Sequence, residues 1–184
     1  MNKLERLKTS YESYIRIPWQ QNAAPSQRVL FCIYDAVDEL RIRARIGEFE
    51  IATEQAGREW LPFDLTDTFA GWLSTQKYAS KYYERPELLA TLLQKYADDI
   101  VVKFEQYVLK HEVGANTVVA LTGVGSLFGL LKVNQVVARL APLTAGRLLV
   151  FFPGSYREDN SYRLFDAYDG WDYLAVPITA DNSK

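Results

Sequence analysis

Apolar residues in this chain occur in two rhythms. Continuous runs rich in β-branched and aromatic side chains stand at residues 28–34 (RVLFCIY), 117–121 (TVVAL) and 147–152 (RLLVFF). Runs without alternation predict strands buried on both faces, the mark of a parallel sheet between helical layers. Residues 59–64 (EWLPFD) predict a further strand, either at an edge or ragged, because Pro62 has no N–H for a ladder. Residues 171–177 (WDYLAVP) predict a last one. Between them the spacing turns helical. Leu4, Leu7, Tyr11, Tyr14 and Ile15 fall on one face of residues 2–15, and Leu89, Leu92, Leu93, Tyr96, Ile100, Phe104 and Val108 on one face of a long helix opened by Pro86 and closed by Gly114. Asp38 is placed to cap a helix running to about Gln55, with Gly57 as its stop, and Thr66 to cap a short one. A further helix is expected within residues 127–140, before Pro142. Residues 76–85 read as a polar, tyrosine-rich connection, Pro153-Gly154-Ser155-Tyr156 as a turn, and residues 160–165 as a short turn or helix. The expected fold is α/β: a three-layer sandwich with a mostly parallel central sheet of about five strands, in one domain over residues 1–184. The helix at 2–15 is expected to dock on a core spanning about 28–178.

In such a sheet, ligands and partners meet the loops at the carboxyl ends of the strands. Two glycine loops stand there, Thr122-Gly123-Val124-Gly125-Ser126 after TVVAL and Pro153-Gly154-Ser155-Tyr156 after RLLVFF, so the two are expected to be neighbours. Glycines at a strand-to-helix turn can turn N–H groups toward an anion. The spacing departs from both phosphate-binding patterns, however. A dinucleotide fingerprint needs glycine where Phe128 stands, and a Walker A loop needs a Gly-Lys-Ser/Thr that occurs nowhere in the chain. Asp35, Asp38, Glu39, Asp64 and Asp67 follow the first two strands and would share that edge. Such carboxylates suit a divalent cation or acid–base work, and equally suit helix N-termini. Asp35, Asp64, Gly123, Gly125 and Ser126 are therefore the residues of an alternative reading, a degenerate nucleotide- or metal-binding regulatory domain.

The net charge of −2 and the absence of a long basic run argue against direct DNA binding as the main role. Arg41, Arg43 and Arg45 spread around their helix instead of forming one stripe. The single cysteine, Cys32, lies inside a strand, so neither a disulfide framework nor a zinc site can be built, and a reducing cytoplasm is the expected compartment. The amino-terminal residues lack the apolar core of a signal peptide, and no apolar run is long enough to span a bilayer. His111, the single histidine, falls at a helix end expected on the edge opposite Ser126 and Ser155, which gives no nucleophile–base pair. No cofactor and no metal are called for. Aromatic residues, by contrast, are plentiful, with 12 tyrosines and 4 tryptophans. Tyr156 and Tyr162 flank the second loop beside Arg157 and Arg163, and Tyr168, Trp171 and Tyr173 follow. Aromatic and arginine side chains together are the usual anchors of a protein interface.

The segments FCIYDAVDELRIR, LPFDLTD, VVALTGVGSLF, LAPL and LLVFFPGSYREDNSYRLFDAYDGWDYLA together resemble the BrxB family of the BREX bacteriophage-exclusion systems of bacteria and archaea. The resemblance runs from about residue 28 to residue 177. It implies a small cytoplasmic accessory component of a phage-defence complex whose companions are other BREX proteins: the phosphatase-like PglZ first, then the methyltransferase PglX or the ATPase BrxC. No catalytic residues carry over from the family. The expectation is a non-enzymatic interaction module that binds a BREX partner through Tyr156, Arg157, Tyr162 and Arg163.

Overall fold

The computed structural model describes residues 2–157, 161–165, 167–170 and 174–181, and for 168–170 the backbone alone. Its centre is a parallel sheet. Val29–Tyr34 (β1) pairs on one side with Arg147–Arg157 (β4) and on the other with Val176–Ile178 (β7). Beyond β4 lie Thr117–Thr122 (β3) and, at the edge, Glu59–Asp64 (β2), giving the order β2-β3-β4-β1-β7. The edge place of β2 suits Pro62. Ser161–Leu164 (β5) and Ala167–Gly170 (β6) extend β4 as an antiparallel ribbon.

Successive side chains of a strand point to opposite faces, and this divides the core in two. Phe31, Ile33, Val119, Leu121, Val150 and Phe152 face one way, under Leu93–Lys110 (α5), Val133–Leu140 (α6) and the Trp72–Leu73 end of Thr68–Ser74 (α3). Leu30, Cys32, Tyr34, Val118, Ala120, Leu149 and Phe151 face the other, under Lys3–Ile15 (α1) and Glu39–Gln55 (α2). Three layers result, with β1, β3 and the Arg147–Phe152 part of β4 buried at every position. Asn2 and Glu5 close a reciprocal cap on α1. Asp38 precedes α2 but makes no side-chain cap, because its carboxylate accepts instead from Arg41 Nη1 at 3.1 Å. Gly57 ends α2 at φ +72°.

Several boundaries differ from the pattern. Pro86–Thr91 winds as a 3-10 helix, so α5 starts at Leu93, and the polar connection before it holds a short helix, Ala79–Glu84 (α4). The helix expected within 127–140 is found in the later part of that span. Val124–Leu127 is a 3-10 turn, Gly129 takes φ +75°, and α6 begins only at Val133. The largest correction concerns Pro153-Gly154-Ser155-Tyr156, which is extended chain continuing β4. Residues 161–164, read as turn or helix, form its antiparallel partner. The strand expected over 171–177 is found as the three residues of β7. Residues 171–173 and Asn160 lie outside the described residues.

Candidate functional site at the carboxyl edge of the sheet

β3 and β4 are adjacent and parallel, so the segments that follow them meet at one edge. Gly123 turns the chain at φ +71°. A Cβ on it would lie 2.6 Å from Asp64 Oδ1 and 2.5 Å from Thr66 Oγ1. The space beside the glycine turn is thus filled by the chain's own carboxylate. Asp64 Oδ1 accepts from Thr66 Oγ1 at 2.7 Å, Thr66 N at 3.1 Å and Thr122 Oγ1 at 3.1 Å. Burial pushes its pKa up, but the donors of Thr66 and Thr122 outweigh that and hold it below the ordinary aspartate value. Ser126 Oγ lies 2.7 Å from the Gly123 carbonyl and 3.0 Å from the Leu65 carbonyl, so its one proton is committed to the main chain. A Cβ on Gly125 would meet the Phe165 ring at 2.6 Å and Pro153 Cγ at 3.7 Å, which joins this loop to the ribbon.

The five residues of the alternative ligand site are therefore not one constellation. Asp64, Gly123 and Ser126 interlock with each other, and a phosphate brought to the turn would face the Asp64 carboxylate. Asp35 follows β1, two strands from β3, a separation of about 10 Å. It is paired with Lys3 Nζ at 2.6 Å. Among the described residues, no group of three His, Cys, Asp or Glu could hold a metal ion.

The four residues expected to bind a partner are also divided. In the β4–β5 register Tyr156 faces Tyr162, while Ser155 faces Arg163 and Arg157 faces Ser161. Alternation then puts the tyrosines on one face of the ribbon and the arginines on the other. Tyr162 is a core residue, 1% exposed, edge-on to Phe31 at 4.7 Å and donating to the Ala175 carbonyl. It cannot serve as a surface anchor, because its ring closes the α5–α6 side of the sheet. Tyr156 lies half-buried over it, ring centroids 5.1 Å apart. Arg157 is exposed and Arg163 half-buried. Trp171, Tyr173 and the side chain of Tyr168 lie outside the described residues.

One feature of this edge has no counterpart in the sequence reading. Phe128 is 49% exposed and packs edge-on against Phe165 at 5.4 Å. It borders a groove of about 350 Å³ between residues 128–132 and the ribbon, floored by Leu130, Leu131 and Leu164. Phe165 is itself held at φ +48°, a conformation bulky residues rarely adopt. Phe128 follows a glycine turn, and nothing in the local pattern marks it as exposed. Phe128 stands between the 3-10 turn and the left-handed Gly129, outside α6.

The family model for BREX protein BrxB matches residues 63–178. The chain belongs to the BrxB family. Membership makes it a component of a BREX phage-defence system. No curated protein and no solved structure matches the chain. The family match spans the glycine turn, the groove and the ribbon. The segment FCIYDAVDELRIR, in β1 and α2, precedes it.

Other candidates of this BrxB-family chain resolve individually. His111 ends α5, at the amino end of β3, with its ring 4.5 Å from that of Tyr107. The length of β3, about 20 Å, separates it from Ser126. Cys32 is fully buried, and that burial pushes its thiol pKa up. Arg41, Arg43 and Arg45 are paired with Asp38, Glu39 and Glu48 at 3.1, 2.7 and 2.8 Å. No helix among the described residues is long and apolar enough to cross a membrane.

Proposed function

We propose that this chain is a non-enzymatic interaction component of its BREX system, and that it binds another BREX protein, PglZ, through the carboxyl edge of the sheet. The observation that carries the reading is the exposed Phe128 beside an apolar groove. Half-exposed aromatics at the lip of an apolar cleft are what interfaces bury. Tyr156 lies on the same side of the ribbon as the groove, and Arg157 and Arg163 add cationic groups on its other side. Tyr162 supports this edge from within the core.

The reading predicts that the full chain co-purifies with PglZ, ahead of PglX and BrxC. The substitutions F128D and R157E/R163E should each weaken the association at least about tenfold, the scale of an interface anchor, with the melting temperature unchanged. L109D, at the far end of α5, should leave it intact. Association of both edge variants at wild-type strength would move the surface elsewhere. Failure of the wild-type chain to bind any of the three proteins would remove the interaction role.

A further inference from the structure

The opposite edge of the sheet, where the strands begin, gathers three arginines that form no ion pair among the described residues; the nearby Glu59 carboxylate accepts from Thr117 Oγ1 instead. Arg28 directly precedes β1, Arg58 precedes β2 and Arg147 opens β4. Trp19 lies among them, with the Arg58 guanidinium carbon 4.0 Å and the Arg147 carbon 4.6 Å from its ring centroid. Arg147 is only 5% exposed. Buried arginine is normally matched by a carboxylate. Here its partners are the Tyr14 side chain and long contacts of 3.4 Å to the carbonyls of Gly146 and Gln20. Arg28 spends one nitrogen on the Ala145 carbonyl at 2.9 Å, and Arg58 spends one on the Asn116 side chain.

Four buried N–H donors remain without an acceptor among the described residues: Nε of Arg28, Arg58 and Arg147, and Nε1 of Trp19. Leaving such donors unpaired keeps the full cost of taking them out of water. The three guanidinium groups also repel one another. Burial first, and then Arg28 and Arg58, bring the Arg147 pKa down. Arg58, Arg147, Trp19, Gln20 and Asn116 line a cavity of about 190 Å³, and no carboxylate lines it.

We propose that this cluster is an anion site that takes a phosphate group, held by Arg58 and Arg147 over Trp19 with Arg28 behind them. A lone carboxylate would offset one of three positive charges. A phosphate carries up to two negative charges near neutral pH and offers several acceptor oxygens to forked guanidinium donors. The cavity is smaller than the roughly 300–1,000 Å³ of sites that enclose a whole small molecule, which fits the phosphate itself. A second cavity of about 350 Å³, bordered by Tyr14, Pro18, Gln27 and again Arg147, adjoins it and leaves room for the body of a phosphomonoester. The site lies across the sheet from the groove of Phe128, so its occupancy and the docking of PglZ can fail independently.

The test is thermal unfolding of the full chain against inorganic phosphate, adenosine monophosphate and acetate, with chloride holding ionic strength constant. Ligand bound to the folded state alone raises the melting temperature along a saturating curve. Phosphate is expected to do so, and R58Q, at a half-exposed position, to fold and weaken it at least about tenfold. R147K, which keeps the charge but loses the fork, should weaken it too. If R147K does not fold, quenching of tryptophan fluorescence by phosphate in wild type and R58Q supplies the same comparison. A tighter response to the nucleotide than to phosphate assigns a phosphomonoester, and an equal one assigns free phosphate. No saturable response beyond chloride, an acetate response equal to that of phosphate, or an unchanged R58Q would each overturn the proposal.

Discussion

Gly123 and Gly154 shape the carboxyl edge by what they lack. Gly123 stands at φ +71° with Asp64 and Thr66 pressed where a Cβ would go, and a Cβ on Gly154 would lie 1.9 Å from the Arg163 carbonyl oxygen across the ribbon. G123A must pay both the left-handed backbone cost of about 1–2 kcal/mol and the displacement of the Asp64 cap. Its expected loss in urea unfolding is about 2–4 kcal/mol, and a loss under about 1 kcal/mol would show that the turn yields. Asp64 gives the edge a pH dependence. Its folded-state pKa lies below the unfolded value of about 3.9. Its contribution is therefore present above that value and lost as pH falls through the lower, folded-state one. Because the side chain is exposed, the contribution should stay under about 1 kcal/mol. D64N should be less stable than wild type at neutral pH, and the two unfolding curves should converge as pH falls below the unfolded aspartate value. A constant offset would place the effect of Asp64 in packing instead of charge.

Among the elements, the helices are tied to the layers by tyrosines on the apolar faces that the helical spacing predicts. Tyr11 of α1 reaches Thr53 Oγ1 at 2.6 Å, and Thr53 already donates to the Phe49 carbonyl at 2.7 Å, so Tyr11 is the donor. Tyr96 of α5 meets Thr68 in the same way at 2.8 Å, since Thr68 donates to Leu65. Y11F should cost about 1 kcal/mol and leave the helical circular dichroism of the folded state unchanged. Loss of the α1 signal would mean that this bond alone docks the helix. The continuous apolar runs made β1, β3 and the first half of β4 legible, and Pro62 pointed to an edge or a ragged strand for β2. Pro153-Gly154-Ser155-Tyr156 misled because proline and glycine are turn residues by local preference. Here the proline is at the last β1–β4 pair and the glycine admits β5 closely, both demands made by neighbouring chain. The helix expected within 127–140 is present, and it occupies only the later part of that span for a related reason. Its helical spacing is real from Val133 onward, but Val124 and Leu127 are buried by a tighter turn directed from Gly123.

At the scale of the molecule, the two edges have separate characters. The carboxyl edge carries the groove and the ribbon, the amino edge the arginines, and between them β1, β3 and the first half of β4 are buried on both faces. Cys32 reports on that burial. It is fully buried in the core shared with α1 and α2, with its thiol pKa raised by burial. The native chain should resist a thiol reagent such as DTNB and react stoichiometrically in urea, whereas a chain lacking residues 2–16 should react without denaturant. Rapid native reaction of the intact chain would show that α1 lifts freely from the sheet. The sequence by itself determined the fold class, the parallel core strands and the family, because periodicity and motif are properties of neighbouring residues. It also placed the two glycine segments at one edge, since that follows from strand direction. Only the tertiary structure decided which side chains are available there. Tyr162 is drawn into the core by Phe31, Phe128 is left outside α6, Asp64 fills the turn that a phosphate would need, and Arg28, Arg58 and Arg147 converge from three strands far apart in the chain. Exposure and convergence depend on what packs against a residue, and no local pattern contains that.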